Sequence, residues 1–313
     1  AIRVASPAPA AADSAYLWSN FVGQRGGAGN ADGVGEAARF SRPVGIAMDA
    51  SGNVYVADTG NHTLRKMTPD GVVTTLAGKA GEPGSADGPA SVARFSSPSG
   101  LALDQAGNLY ISDRDNATIR KMTPDGMVTT LAGSPGQVGD MNGRGSAARF
   151  HRPEGLAVDI VGNIYVAEAD NHKILKVTPD GQVTTLAGTG LAGSRDGGSE
   201  AQFTGPTGVA VDSVFNVYVA DEVNGTIRKV SPDGQVTTLA GSPRVYGDTD
   251  GQGSAARFYG PFGVAVDNAF DVYVADSGNH TIRRITPAGG VSTVAGLAGN
   301  PGSTVGNGSA ARF

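Results

Sequence analysis

One block of sequence recurs along this chain and constrains its fold more than any other feature. The block runs from Phe40 to Gly78 and reads FSRPVGIAMDASGNVYVADTGNHTLRKMTPDGVVTTLAG. Further copies begin at Phe95, Phe150, Phe203 and Phe258, so that successive copies start 53 or 55 residues apart. A fixed period means that each copy forms one supersecondary unit, which buries its apolar surface against its neighbours.

Each copy contains four short runs of β-forming residues separated by turn residues. In the first copy these runs are residues 45–49, 54–58, 63–67 and 72–77. Between the last two runs, Thr68-Pro69-Asp70-Gly71 predicts a hairpin, because proline presets φ at the second turn position and glycine suits the fourth. Each copy is therefore predicted to form a four-stranded antiparallel sheet.

The second strand indicates how these sheets are arranged. Val54 and Val56 point to one side and Tyr55 and Ala57 to the other, so both sides are mainly apolar. A strand that is apolar on both sides is covered on both sides. The third strand, with Arg65, is more polar and is expected further out. This pattern favours an all-β fold, a β-propeller whose four-stranded blades pack side by side in a closed ring.

The repeated motif PxG[ILV]A[MLV]D…GNVYVAD…NHTIRK…TPDG…VTTLAG resembles the NHL repeat of β-propellers, in the bacterial form with long loops between blades. The resemblance covers the chain from about Phe40 to Phe313. It implies antiparallel blades around a central channel and a binding surface rather than a catalytic site. It also implies an exported bacterial protein that is secreted into the extracellular space or the periplasm.

We interpret residues 1–313 as one propeller domain with five complete repeats at 40–94, 95–149, 150–202, 203–257 and 258–313. Residues 1–7 align with the third strand at 226–232, and residues 16–23 align with the fourth strand at 236–241. Residues 1–23 therefore predict the outer strands of an incomplete sixth blade, and a disordered tail with one stray strand is the alternative.

The last residues, 309–313, repeat the segment that precedes a first strand. A six-bladed ring is favoured, and a five-bladed ring with an extra outer hairpin is the alternative. The inner strands of the sixth blade would come from residues downstream or from another chain, and the second case would make the protein self-assemble.

Composition excludes several functions. The net charge is −5 without a basic stripe, so nucleic acid is not an expected partner. Cysteine is absent, which excludes disulfides and thiolate metal sites. No apolar run is long enough to span a membrane.

Each connection between repeats ends in Ala-Arg-Phe, except for Ala201-Gln202-Phe203 in the fourth copy. The repeated phenylalanine is expected to fill the seam between two blades. The repeated arginines are expected to meet nearby carboxylates; they are Arg39, Arg94, Arg149, Arg257 and Arg312.

The connections and the turns between second and third strands are predicted on one face, which carries the longest and most variable loops and is the expected binding surface. The second strand ends there in a carboxylate in every copy: Asp58, Asp113, Glu168, Asp221 and Asp276. Such a set could hold Ca²⁺ through oxygen ligands, whereas the alternative is that each carboxylate accepts hydrogen bonds from its own turn. The acids that end the first strand, beginning with Asp49, are also expected to accept hydrogen bonds from their own turns.

Polar residues of the same turns complete the candidate set. Asn61, Asn171 and Asn279 are candidates for ligand contacts or for turn support. His62 and its equivalents His172 and His280 are expected to pack within turns, because Zn–N bonds of about 2 Å cannot join residues spread over separate blades. No cofactor other than Ca²⁺ is predicted.

Uniformity favours a non-enzymatic function. Catalysis needs an asymmetric constellation on a regular frame, and His151 is the one unmatched candidate that stands out. We therefore expect a binding or scaffold module that engages a protein or glycan through its variable-loop face, and that assembles if one chain completes another. The alternative is a metal-dependent enzyme of the six-bladed lyase or lactonase kind.

Overall fold

The computed structural model describes residues 1–7, 16–24 and 26–313, and their regular structure consists of β-strands and single turns of 3-10 helix. The strands form six antiparallel sheets. This confirms the predicted all-β, six-bladed β-propeller over the five-bladed alternative.

The chain begins with a pair of strands, β1 (Ile2–Pro7) and β2 (Tyr16–Val22). The first complete sheet has β3 (Gly33–Val34), β4 (Pro43–Met48), β5 (Val54–Asp58), β6 (Thr63–Met67) and β7 (Val72–Gly78). The second has β8 (Gly88–Pro89), β9 (Pro98–Leu103), β10 (Leu109–Asp113), β11 (Thr118–Met122) and β12 (Met127–Gly133). The third has β13 (Gly143–Arg144), β14 (Pro153–Val158), β15 (Ile164–Glu168), β16 (Lys173–Val177) and β17 (Gln182–Ala187).

The fourth sheet has β18 (Pro206–Val211), β19 (Val217–Asp221), β20 (Thr226–Val230) and β21 (Val236–Gly241). The fifth has β22 (Gly251–Gln252), β23 (Pro261–Val266), β24 (Val272–Asp276), β25 (Thr281–Ile285) and β26 (Gly290–Gly296), and β27 (Gly306–Asn307) follows. Single 3-10 turns occupy Gly35–Ala37, Thr59–Asn61, Arg114–Asn116, Gly145–Ala147, Glu222–Asn224, Gly253–Ala255, Ser277–Asn279 and Gly308–Ala310. No helix of the described ranges is long and apolar enough to cross a membrane.

Four sheets contain a fifth strand that the sequence did not predict. The connection before each of these sheets adds a two-residue strand beyond the fourth strand, as where Gly33 pairs with Val73. In the fourth sheet an isolated bridge between Gly197 and Val236 takes the same place.

The contacts divide the chain into two compact units. Unit 1 comprises Ala1 and residues 21–171 and 175–185, and unit 2 comprises residues 2–20, 172–174 and 186–313. The assignment of residues 1–313 to one domain stays a prediction.

The repeated phenylalanine fills the seam between successive sheets, as predicted. In unit 1, Phe95 is fully buried in a cluster with Ala57 and Leu64 of the first sheet and Leu101 and Ile111 of the second. Phe258 occupies the same place in unit 2. The second strands β10, β15 and β19 are buried along their whole length, which is the two-sided cover that the sequence predicts.

Strands Ile2–Pro7 and Tyr16–Val22 are the predicted outer strands of the sixth blade, and residues 8–15 between them lie outside the described residues. The sheet order is β1-β2-β27, so the C-terminal part of the chain contributes the two-residue outer strand. Leu17 pairs with Asn307, and the rings of Trp18 and Phe313 meet edge to face at 5.1 Å.

The first strands of neighbouring sheets approach closely at a glycine. In unit 1, a Cβ atom added to Gly100 would lie 2.2 Å from the carbonyl oxygen of Glu154, and in unit 2 one added to Gly208 would lie 2.3 Å from that of Phe262. Gly263 holds the same repeat position, but its nearest neighbour would be the Ala275 Cβ at 3.8 Å. The glycine is therefore required sterically at some copies and not at others.

We expect Gly100→Ala to lower the free energy of unfolding by about 2 kcal/mol, because the new methyl group would overlap backbone that cannot rotate away. The matched control Gly263→Ala should change it by less than about 0.5 kcal/mol. Urea denaturation of both variants measures the difference, and equal stabilities would contradict this packing of the first strands.

Candidate functional site

The carboxylates that end the second strands are fully buried. In the first sheet Asp58 accepts hydrogen bonds from the backbone N–H of Ser41 at 2.7 Å and from the side-chain amide of Asn61 at 2.7 Å. The Nη1 atom of Arg65 lies 2.8 Å from Oδ2 of Asp58, the oxygen that also accepts from Asn61. Each carboxylate thus joins the start of the first strand, the following turn and the third strand.

The same arrangement recurs in three other sheets, with 2.7 or 2.8 Å between guanidinium nitrogen and carboxylate oxygen. The pairs are Asp113–Arg120, Asp221–Arg228 and Asp276–Arg283. Burial raises the pKa of Asp113 to about 6, while Arg120, Asn116 and the N–H of Ser96 act in the opposite direction. Near pH 7 the pair is ionised.

The third strand lies outside the second strand of its sheet, as predicted, but its arginine is buried. Arg65 is fully buried, and it also donates to Asp32 at 2.7 Å and lies 5.0 Å above the ring of Phe40. The burial is possible because two carboxylates and an aromatic face compensate for lost hydration.

The structure therefore places the predicted ligand candidates inside the scaffold. Asp58, Asp113, Asp221 and Asp276 bind arginine, and the turn asparagines donate to the second-strand carboxylates and to loop carbonyls, as from Asn171 to Gly139 and from Asn279 to Gly247. A ligand or Ca²⁺ role for these residues stays a prediction. In the described part of the chain, no group of three or more His, Asp or Glu side chains is placed to hold a metal ion.

The third sheet departs from this arrangement at three positions together. Glu168 replaces the aspartate, Leu175 replaces the arginine, and Asn142 replaces the outer aspartate. Oε2 of Glu168 accepts from the N–H of His151 and from Asn171, whereas Oε1 is buried without a hydrogen-bond partner among the described residues. Burial raises the pKa of Glu168 to about 8. The carboxyl is therefore largely protonated near pH 7.

The first-strand acids serve their own turns. Asp49 accepts hydrogen bonds from the backbone N–H groups of Ser51 and Asn53 at 3.0 and 2.9 Å.

The histidine of the next turn, His62, adopts the left-handed backbone conformation, with φ of 59°. Its Nδ1 accepts a hydrogen bond from the N–H of Ser97 at 3.0 Å. His280 has the same backbone conformation, with φ of 58°.

The repeated arginines of the connections were expected to meet carboxylates, and this is mostly wrong. Arg94 donates to the carbonyl oxygens of Ser91, Val92 and Ala93, and its ion pair with Glu82 is longer, at 3.6 Å. Arg257 donates to the carbonyl oxygens of Ser254 and Ala256. These arginines cap the turn that precedes them.

Unit 1 also holds a group of charged residues, three of which occur in one copy each: Arg114, His151 and Glu154. They lie where second strands end and first strands begin, which we term the loop end of the sheets. This charged cluster consists of Arg114, Asp115, His151, Arg152, Glu154 and Asp170. At the position of Glu154 the other copies have Val44, Ser99, Thr207 and Phe262.

The cluster is centred on Glu154, which is only 3% exposed. Its Oε1 accepts from Nε of Arg152 at 3.1 Å, and Nη1 of Arg114 lies 3.8 Å away. Asp170 binds Arg152 at 3.6 Å and Nε2 of His151 at 3.3 Å. Acidic and basic side chains alternate from Asp115 through Arg114, Glu154 and Arg152 to Asp170, so they hold one another in place.

The electrostatic environment differs between the two ends of the cluster. Burial raises the pKa of Glu154, and the charges of Arg114 and Arg152 oppose this shift. Burial also acts on Asp115, but hydrogen bonds from Ser97 and Arg114 hold its pKa below the usual value. Arg152, with half of its side chain exposed, presents donors to solvent. The cluster can therefore offer fixed hydrogen-bond donors and acceptors to a polar ligand.

Sequence reasoning singled out His151 and missed the other five members. The available signal was a comparison of the copies position by position. Arg114 stands where other copies have Thr59, Ala169, Glu222 or Ser277. At the position of Asp170, three of the other copies have glycine or valine.

Sheets of this order and connection define a β-propeller. A family model of the NHL repeat matches residues 40–67, 95–122 and 258–285. NHL repeat-containing protein 2 of Bos taurus is 30% identical over 301 residues, which covers 85% of this chain and 41% of the relative. The chain belongs to the NHL-repeat β-propeller family, and it spans less than half the length of the curated relatives it matches.

Solved structures share the fold at low sequence identity. An auxiliary nutrient binding protein from Bacteroides ovatus aligns with a TM-score of 0.70 and 17% identity, over 96% of this chain and 70% of that chain. Virginiamycin B lyase from Staphylococcus aureus aligns with a TM-score of 0.54 and 16% identity, over 83% and 71% of the two chains. Both are similar to this protein in fold alone.

We expect Glu168 to make the stability pH-dependent. Because its pKa rises from 4.5 in the unfolded chain to about 8 in the folded one, the folded state retains a proton that the unfolded state releases in this interval. The free energy of unfolding should therefore fall as the pH rises from about 4.5 to about 8, by at most about 1.4 kcal/mol per unit. In Glu168→Gln this contribution should vanish, which makes the variant more stable than the parent at pH 8.

Urea denaturation between pH 4 and pH 9 measures this effect. The control Asp113→Asn changes the equivalent residue beside Arg120 and should instead lose about 3 kcal/mol at pH 8, because it removes the charged partner of a buried arginine. Parallel pH profiles for the parent and Glu168→Gln would contradict the assignment.

Proposed function

We propose that this protein is a non-enzymatic binding propeller that recognises a protein or glycan partner at the loop end of its sheets. The observation that carries the proposal is the charged cluster around Glu154. Arg114, His151 and Glu154 each occur in one copy and meet there, while the uniform positions are engaged in scaffold contacts. Specific recognition requires such an asymmetric set.

The form of the cluster suits binding. Its acidic and basic side chains are paired with one another, so the set is held in one arrangement before a ligand arrives. His151 and Arg152 are about half exposed and can bond to a ligand without reorganising the buried Glu154. A polar site that is held by its own contacts loses little conformational entropy on binding.

The likeness to a nutrient binding protein from Bacteroides supports binding as a use of this fold, and the same likeness supports an extracellular or periplasmic location. The likeness to virginiamycin B lyase keeps the metal-dependent lyase or lactonase as the alternative. Fold similarity alone does not decide between them, so the experiment includes an arm for each.

Capture of partners tests the proposal. The parent protein, immobilised, is exposed to a glycan array and to extracellular proteins of its source organism. We expect a retained partner to be lost from Arg114→Ala/Arg152→Ala, since these changes remove the exposed donors and cost about 1.5–3 kcal/mol for each charged hydrogen bond. Because this double variant leaves the buried Glu154 without its cations, its melting temperature is compared with that of the parent before the capture experiment.

The matched control is Asp125→Ala, an exposed residue in a hairpin at the other end of the second sheet. It should retain the partner. Equal retention by all three proteins would contradict the assignment of the cluster. Turnover of a lactone or of a cyclic depsipeptide that depends on a stoichiometric divalent ion would instead establish the enzymatic alternative.

Self-assembly is a second candidate, favoured by the sixth sheet. Its strand β1 corresponds to β6 and β25, which pair with a second strand on the side away from the fourth strand. In the sheet order β1-β2-β27 the strand β1 lies at the edge. A strand from another chain could add there by main-chain hydrogen bonds.

Light scattering of this chain over a hundredfold range of concentration tests the assembly. We expect the mean mass to rise with concentration, and Ala5→Pro to reduce the rise because proline on β1 removes a main-chain donor. A monomeric mass throughout would exclude assembly through this edge.

A further inference from the structure

We propose that a pocket at the loop end of the fourth sheet, in unit 2, binds the carboxylate of an acidic saccharide. The pocket shares no residue with the charged cluster. The proposal rests on the proposed binding function for its choice of a glycan, whereas the anion site follows from the pocket itself.

The pocket has a volume of about 600 Å³ and opens to solvent. It is lined by Gly193, Ser194, Arg195, Gln202, Pro243 and Arg244. A space of this size accommodates one or two sugar rings. Its two cations come from connections that are adjacent in the fold but separated in sequence.

Arg244 occupies a position that the other connections give to glycine. Gly81, Gly136 and Gly299 stand there with φ near 70°, and Arg244 has φ of 60°. A residue with a side chain is strained in this left-handed conformation. The N–H of Arg244 donates to the carbonyl of Asn224 at 2.8 Å, as that of Gly136 does to Asn116, so the backbone is unchanged. An arginine is therefore not required here for the backbone conformation, and its side chain places a guanidinium group at the pocket.

Two further replacements occur in the same pocket. Arg195 stands where other copies have Ala31, Ala86, Met141 or Thr249, and Gln202 replaces the arginine that elsewhere caps the preceding turn. The amide oxygen of Gln202 lies against Gly193, close enough to exclude any side chain there. The fourth copy thus loses a structural arginine and gains two others that face the cavity.

The side chains of Arg195 and Arg244 have no hydrogen-bond or ion-pair partner within the described ranges. The adjacent carboxylate of Asp196 is already bound to Arg228 at 2.6 Å and to the hydroxyl of Thr238 at 3.0 Å. Both arginines are exposed to solvent. Planar guanidinium groups match the geometry of a carboxylate, which would accept their hydrogen bonds.

A pair of tyrosines, one on the connection that carries Arg244 and one shortly before the first strand of the fifth sheet, favours a saccharide over an acidic peptide. Tyr246 follows Arg244 by two residues, is 47% exposed and lies 5.7 Å from the ring of Tyr259, which is 53% exposed. The hydroxyl of Tyr246 donates to the carbonyl of Val223 at 2.7 Å, which fixes the ring. Rigid, exposed aromatic rings provide apolar surface for the ring of a sugar while their polar edges stay hydrated.

Calorimetric titration of the full chain with tetragalacturonate tests the pocket. We expect the parent to bind, and Arg244→Gly and Arg195→Ala each to weaken binding by about tenfold or more through the loss of charged hydrogen bonds. Arg244→Gly should also keep or raise the melting temperature, because it restores the glycine of the other copies. This opposite movement of affinity and stability is not expected of a structural arginine.

Three controls sharpen the result. Arg144→Ala removes an exposed arginine of the third sheet and should leave the affinity unchanged. The fully methyl-esterified tetramer should bind at least tenfold more weakly, and tetra-aspartate should not compete. Absence of binding to the parent, equal affinity in Arg244→Gly, equal affinity for the ester, or competition by tetra-aspartate would each overturn the proposal.

The two proposals fail separately. If Arg114→Ala/Arg152→Ala retains tetragalacturonate while losing its captured partner, both sites stand as described. If tetragalacturonate binding is lost from that cluster variant and kept by Arg244→Gly, the pocket is overturned and the charged cluster is not.

Discussion

The fold depends on a buried ion pair that is repeated from sheet to sheet. A carboxylate such as Asp58 carries charge into the interior, where its desolvation is compensated only if its oxygens are fully bonded. It meets that condition by accepting hydrogen bonds from the backbone just before the first strand, from the turn asparagine and from the third-strand arginine. Three separate segments are thereby fixed by one side chain, so the turn chemistry and the strand order are parts of a single arrangement.

The third sheet shows that this arrangement changes as a set. Leu175 in place of the arginine would leave a charged carboxylate and an outer acid without their partner. In the same copy the outer acid is Asn142, and the inner one is Glu168, whose pKa burial raises to about 8. Removing all three charges together avoids the large cost of removing one partner from a buried pair. The sheet therefore keeps the hydrogen bonds of Glu168 to His151 and Asn171 without an ion.

The strand pattern of one repeat was enough to predict the sheets, their order and the outer strands at residues 1–7 and 16–23. The burial of Arg65 was not predictable from alternation, because a charged residue in a strand is normally placed toward solvent. Its partner Asp58 lies on the neighbouring strand, and only the joint change of Glu168 and Leu175 indicates their contact. The charged cluster was missed for a related reason, since Arg114 and Glu154 belong to different sheets and no local period connects them.

A repeat protein must place specificity where the repeat is broken, because its uniform positions are already bonded to one another. The left-handed backbone positions illustrate the conflict. Glycine satisfies them at least cost in the loop of Gly136 and at Gly205, yet Arg244 and Arg152 occupy the equivalent places in other copies with φ of 60°. Arg244 lines a pocket with Arg195 and Gln202, and Arg152 bonds to Glu154; Arg195, Gln202 and Glu154 each stand at a position that the other copies fill differently. The regular sheets tolerate this strain because their ion pairs and glycine contacts hold the backbone regardless of which side chain the loop carries.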